Sequence, residues 1–397
     1  MTAFDWLNLL LRWTHLIAGI AWIGSSFYFI WLDAHLEAPR SADEAVEGSL
    51  WMVHSGGFYR VERRRIGPGQ MPPLLHWFKW EAAITWMSGL LLLIVVYYLT
   101  GGIYLVDPAV SKLTTAQAAG AGLGTILAAW LVYDRLWQSS LARRSGLATM
   151  LTLALVAGAT LLFCRLLGGR AAFVHVGATL GTIMVANVWL RILPSQQRMI
   201  DATAAGRKPD LSESVSAKTR SVHNSYMTFP VLFIMLSNHF PATYGAPLNA
   251  FVLVLLMVAG AAARHVMIGK GPSRRWAYVP VIVAFAGVFA LTRPAPALRG
   301  GWSGASTPGP VPAFAEVQGI VQSRCGTCHS RTPSAAGFAT APAGVMFDDP
   351  ASIRRMAMRI YQRAVVTKTM PLANMTGITD AERGVLARWV EHGAPAR

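Results

Sequence analysis

One recurrence constrains this chain more than anything else in it. Apolar stretches of about 20 residues, the length that crosses a bilayer as a helix, return through its first three quarters. We read spans near 9–32, 80–100, 116–136, 146–167, 171–193, 224–241, 247–267 and 276–293. The sixth is short and ends in Asn238, His239 and Pro241. The first lacks the basic lead-in and small-residue cleavage site of a removable signal. Composition agrees, because charged residues make up 14% where soluble domains carry about 25%. A disordered chain is excluded, and one soluble globule is a poor fit.

A net charge of +16 would suit a nucleic-acid partner, but its distribution does not. Loops after odd-numbered spans carry Arg40, Arg60, Arg63, Arg64 and Arg65, then Arg135, Arg143 and Arg144, then Arg191, Arg198, Arg207, Lys208, Lys218 and Arg220, then Arg264, Lys270, Arg274 and Arg275. Loops after even-numbered spans carry Lys112, Arg165 and Arg170. By the positive-inside rule the odd-span loops are expected in the cytoplasm and both termini outside. The predicted setting is a multi-pass membrane protein, with the lipid bilayer as partner and no nucleic acid.

After the last span the pattern changes. Residues 294–313 are rich in Pro, Gly, Ser and Ala, a linker whose reach of roughly 25 Å would let the tail fold back onto the outer face of the membrane domain. From 314 the pattern turns soluble and helical. Phe314, Val317, Ile320 and Val321 form one apolar stripe, a second helix starts near Pro350, and a third opens on the capping box Thr379-Asp380-Ala381-Glu382 and stops at Gly393. The predicted domains are therefore 1–293, a linker over 294–313, and 314–397.

Between the first two tail helices stands Cys325-Gly326-Thr327-Cys328-His329. C-x-x-C-H is the attachment sequence of a c-type haem: the thiols bond the vinyl groups and the adjoining imidazole reaches the iron. A redox dithiol would sit in a thioredoxin-like pattern that is absent, and zinc would need more ligands than this segment offers. Met370, followed by Pro371, is the preferred second axial ligand and Met375 its rival; His/Met ligation raises the haem potential. The segment resembles a small class I cytochrome c, with Gly319 expected to face Trp389. The fold class expected overall is all-α: an eight-span helical bundle followed by this small helical domain.

Eight spans exceed what an anchor needs, so polar groups inside them carry the functional reading. His15, His175 and His239 sort toward the outer side. His35, His54, His76, His223 and His265 sort toward the cytoplasmic side. His15 and His175 are the pair that could hold a b-type haem between spans. The loop His54-Ser55-Gly56-Gly57-Phe58-Tyr59-Arg60-Val61 and the stretch Leu75-His76-Trp77-Phe78-Lys79-Trp80-Glu81 mix aromatics with titratable groups beyond what topology asks. Gly56-Gly57 reads as a close backbone approach.

These two stretches, with Arg12-Trp13-Thr14-His15 and Trp22-Ile23-Gly24-Ser25-Ser26-Phe27-Tyr28-Phe29, resemble the bacterial membrane-bound urate oxidase (urate hydroxylase) family over essentially the whole chain. Ser55 stands where the resemblance leads one to expect a third glycine. The resemblance implies an eight-span domain fused to a cytochrome c, oxidising urate to 5-hydroxyisourate and passing electrons to the haem and on to a respiratory acceptor. A planar urate anion needs a cation, a flat surface and a base. Arg60, Phe58 and Tyr59 are the candidate binding residues, and His54, His76 and Glu81 the candidate catalytic ones. The face that holds the substrate stays open from sequence. So do the alternatives of a cytochrome complex oxidising quinol or another small molecule, and of a non-catalytic membrane-anchored electron carrier.

Overall fold

The computed structural model describes residues 2–38, 44–269, 271–292, 309–335, 338 and 340–396. In chain order the bundle comprises α1 (Ala3–His35), a hairpin of β1 (Val46–His54) and β2 (Gly57–Arg64), α2 (Trp80–Leu93), α3 (Thr115–Gln138), α4 (Ser145–Leu166), α5 (Gly169–Ala186), α6 (Leu193–Ala204), α7 (Leu211–Ser237), the short α8 (Pro241–Tyr244), α9 (Asn249–Ile268), the short α10 (Pro272–Trp276) and α11 (Tyr278–Thr292). The tail holds α12 (Phe314–Arg324), α13 (Pro350–Arg355), α14 (Ala357–Ile360) and α15 (Asp380–Glu391).

Seven helices among the described residues are long and apolar enough to cross a membrane, which is compatible with a membrane protein. The expected sixth span is not among them. It lies in α7, which starts at Leu211, carries a polar first half and stops at Ser237, before Pro241 opens a separate turn. Other helices overrun their expected limits because their caps lie further out. Thr2 and Asp5 form a reciprocal capping box ahead of α1, and α3 opens on the same device at Thr114 and Gln117. Helix α5 continues through a wide π turn at Asn187–Ile192 into α6. Pro194 accounts for the turn: its ring cannot sit over the carbonyl four residues back, and widening the spiral relieves that clash.

Helix α5 is the bundle's axis. Ala171, Phe173, Val176, Leu180 and Ile183 on it are buried among α3, α4 and α7. Its close approach to α7 and α3 uses glycines Gly177 and Gly122. A methyl at Gly177 would stand 2.6 Å from Ile234, and one at Gly122 2.8 Å from the His175 ring. Gly120, Gly124 and Gly181 have open space beside them.

The segment expected as an irregular loop is the antiparallel hairpin β1–β2, so the fold is not purely α. Its turn is Ser55-Gly56, both at positive φ (49° and 78°), closing the His54–Gly57 pair in the two-residue form that suits strand twist. That corrects the reading of Gly56-Gly57 as a close approach. Gly56 has nothing within 4 Å and is there for its φ.

In the tail, Val317, Val321, Ile353, Leu386 and Trp389 are buried in one core. Gly319 does not face Trp389, since it has open space beside it. Phe314 takes that place with its ring 5.8 Å from the indole, because the aromatic ring fills more of the groove than a backbone contact would. Of the expected linker, residues 294–308 lie outside the described residues, as does 293 at the end of the expected last span. The tail nevertheless rests on one end of the bundle: a methyl at Gly245 would meet Thr369 at 2.7 Å and Thr367 at 2.9 Å. Hereafter this is the tail end, and the opposite one the hairpin end.

Candidate functional site

The tail's reactive segment is one tight turn after α12. The backbone N–H of His329 donates to the Cys325 carbonyl at 2.8 Å, and that of Cys328 to the same carbonyl at 3.2 Å. This presents Cys325, Cys328 and His329 together, both thiols unpaired. Burial pushes the Cys325 thiol up to about 12 and holds the His329 imidazole below its ordinary value. The Nδ1–H of His329 donates to the Val345 carbonyl at 3.1 Å, which fixes the ring and leaves Nε2 free of that bond. Met370 sits in a segment tied at both ends. Its N–H donates to the Arg363 carbonyl at 3.0 Å, and its carbonyl accepts from buried Arg383 at 3.1 Å. Met375 is 43% exposed.

Between tail and bundle lies a cavity of 580 Å³, lined by Tyr104, Asp107, Arg170 and Asn249 on one side and Lys368, Asp380 and Arg383 on the other. A file of rings runs from it into the bundle. The Arg170 guanidinium stands 5.2 Å over Tyr104, Tyr104 is 6.4 Å from Tyr97, and Tyr97 is 6.2 Å from His175. His175 is fully buried, donating from Nδ1 to the Ala171 carbonyl at 2.8 Å and accepting the Tyr98 hydroxyl at Nε2, 3.0 Å away. His15 rests instead on α2, its Nδ1 donating to the Thr85 carbonyl at 2.8 Å. No hydrogen bond or ring contact among the described residues joins His15 to His175. As placed they do not fit a b haem, which needs facing imidazoles that each offer a free nitrogen, since both ring nitrogens of His175 are engaged. His239 is exposed just past the end of α7.

Toward the hairpin end the bundle buries a charge network that the sequence reading missed. Asp134 on α3 accepts from Arg191 at 2.8 Å, from buried Arg220 at 3.1 Å and from Gln138 at 2.6 Å. Beside it, the amide of Asn187 donates to the Tyr133 hydroxyl at 3.0 Å and to the Asn224 carbonyl oxygen at 2.9 Å. Tyr133 in turn donates to His223 Nδ1 at 2.8 Å. Two guanidiniums share one carboxylate, so the network carries surplus positive charge. The signal available in the sequence was Asp134, an acid at the end of an apolar run; counting Arg191 and Arg220 as loop charges concealed their partner.

The candidate substrate residues fall on two elements. His54, Phe58, Tyr59 and Arg60 stand on the hairpin, where Phe58 is 80% exposed. Arg60 is engaged by Glu62 at 2.7 Å and lies 6.0 Å from the Trp51 ring across the strands. His76 is exposed in the segment before α2. Glu81, in the first turn of α2, keeps one buried carboxylate oxygen with no hydrogen-bond partner. Hairpin and bundle meet where the Tyr28 hydroxyl points at the Met52 sulfur, 3.7 Å away.

Compared with known proteins, residues 1–293 match the family described as urate oxidase N-terminal. No curated protein and no solved structure matches the chain.

Proposed function

The chain belongs to the urate oxidase N-terminal family, and from that premise we propose that it is a membrane-bound urate oxidoreductase coupled to a c-type haem in its own tail. The reaction is urate plus water giving 5-hydroxyisourate, two protons and two electrons. The family match over residues 1–293 carries the reading. The topology proposed is eight spans in a bacterial inner membrane, α7 supplying the one that falls short in apolarity. The hairpin end faces the cytoplasm, and the tail stands outside as a cytochrome c domain.

A c-type haem fits the tail residues. Two unpaired thiols and a histidine share one turn, the His329 ring is oriented through Nδ1, and Met370 is held by backbone bonds on both sides. Cys325 and Cys328 would attach it, and His329 and Met370 would ligate the iron. When bound, such a group accepts electrons one at a time. The chain's own contribution is to seat the tail over the cavity at the end of the tyrosine file, so that Tyr104 and Arg170 line the approach. Urate is proposed to arrive from the cytoplasm at the hairpin end. There Arg60, Phe58 and Tyr59 receive it at the hairpin, and His54, His76 and Glu81 take up protons.

The test is spectroscopic. With oxygen removed, urate added to the purified protein should produce the reduced haem c band without a mediator. His54→Ala or His76→Ala should abolish that response while the haem stays attached. A haem that dithionite reduces and urate does not would refute the function; full activity in both variants would refute the placement of the catalytic histidines.

A further inference from the structure

Arg264, on α9 toward the hairpin end, is 2% exposed. Its Nε donates to the Ser225 hydroxyl at 2.9 Å, and its guanidinium carbon lies 3.9 Å over the Phe27 ring. Its Nη2 is buried with no hydrogen-bond partner, and among the described residues no carboxylate pairs with it. A buried guanidinium without an anion is costly in water-excluded protein and more so within a bilayer, so such a group normally has a counter-charge.

Helical register puts other unpartnered groups at the same depth. The Trp86 indole donates to Thr182 at 3.0 Å, tying α2 to α5. Glu81, earlier on α2, and Asn187, where α5 passes into its π turn, both lie about 7.5 Å from that tie toward the hairpin end, at the helical rise. Asn187 bonds Asn224, the neighbour of Ser225, which holds Arg264. The unpartnered oxygen of Glu81 and the equally unpartnered indole N–H of Trp189 therefore share the layer of Arg264.

We propose that Arg264 is the cation of a buried anion site in this layer, with Phe27 as its flat wall, built for a planar anion that also carries N–H groups for Glu81. The guanidinium fork recognises two oxygens or an oxygen and a nitrogen side by side, and the aromatic face accepts a ring. On the urate reading above, from which the identity of the anion comes, Arg264 is a substrate-binding residue and the hairpin arginine lies on the way in.

Equilibrium dialysis of labelled urate against the purified full chain, in micelles free of anionic lipid, tests this. Wild type should bind, Arg264→Gln should bind at least tenfold more weakly, and Arg264→Lys, which keeps charge but not the fork, should also lose about tenfold, near one charge-assisted hydrogen bond. Wild-type affinity in Arg264→Lys overturns the proposal even if Arg264→Gln does not fold. Displacement of urate by phosphatidylglycerol, lost in Arg264→Lys, would make a lipid headgroup the occupant and also overturn it. If wild type binds no urate, the urate reading falls. The site is then judged with benzoate: a raised melting temperature in wild type but not in Arg264→Lys supports it, and no shift in either refutes it.

Discussion

The hydroxyl of Tyr98 donates to Nε2 of fully buried His175 across 3.0 Å. Because Nδ1 is already committed to the Ala171 carbonyl, the pair fixes both the tautomer and the ring plane where the wide turn that follows α2, Ile94–Tyr98, meets α5. Removing the hydroxyl strands an acceptor in an apolar core, a penalty of about 1–3 kcal/mol. Tyr98→Phe should therefore lower the melting temperature of the detergent-solubilised protein, and His175→Phe in that background should recover part of the loss. A Tyr98→Phe protein as stable as wild type would show that this bond contributes nothing.

Asp134 is the only carboxylate in contact with Arg191 and Arg220 among the described residues. Asp134→Ala leaves two guanidiniums uncompensated, and breaking a buried pair from one side costs about 3–5 kcal/mol. Expression and thermal stability should both fall sharply. Adding Arg220→Met should restore part of the stability, since it removes the more buried of the stranded charges. Additive losses in the double variant would argue against the shared network.

The tail was the most legible part of the chain. Its caps, its apolar stripe and the Cys325–His329 turn depend on local rules, and Thr379 and Glu382 form the reciprocal capping box expected of them. The hairpin was not legible, because Trp51, Val53, Phe58 and Tyr59 are exposed and leave no alternation of apolar and polar residues to find. Arg264 and Asp134 were hidden for another reason. Near a span's end a charge reads as topology, and only side-chain geometry separates a headgroup contact from a buried one.

Met370 and Met375 give opposite expectations. Met370 lies in a segment bound to Arg363 and Arg383, whereas Met375 is exposed. If the tail holds the proposed c-type haem, Met370→Ala should lower its potential and remove the red-region band of methionine ligation, while Met375→Ala should change neither. Loss of ligation from Met375→Ala instead would reverse the assignment.

Glu382 couples the tail's acid stability to its geometry. Its carboxylate accepts the Thr379 N–H at 2.7 Å and Arg324 Nε at 3.0 Å. The Thr379 bond foremost, with Arg324, holds it below the ordinary carboxylate value against a smaller opposing effect of burial. A lowered value means that the folded state binds fewer protons than the unfolded one. This contribution to stability is therefore complete above the unfolded-state value of about 4.3 and is lost as the pH falls through the lower folded-state value. Arg324 precedes Cys325 directly, so loosening the cap should loosen the turn as well. Proteolytic release of the tail should accelerate below about pH 4. In Glu382→Gln the release should be faster at neutral pH and flatter with acidification. Thr379→Ala should cost about 1 kcal/mol through the same cap. A Glu382→Gln protein with the wild-type pH profile would mean that acid acts on another carboxylate.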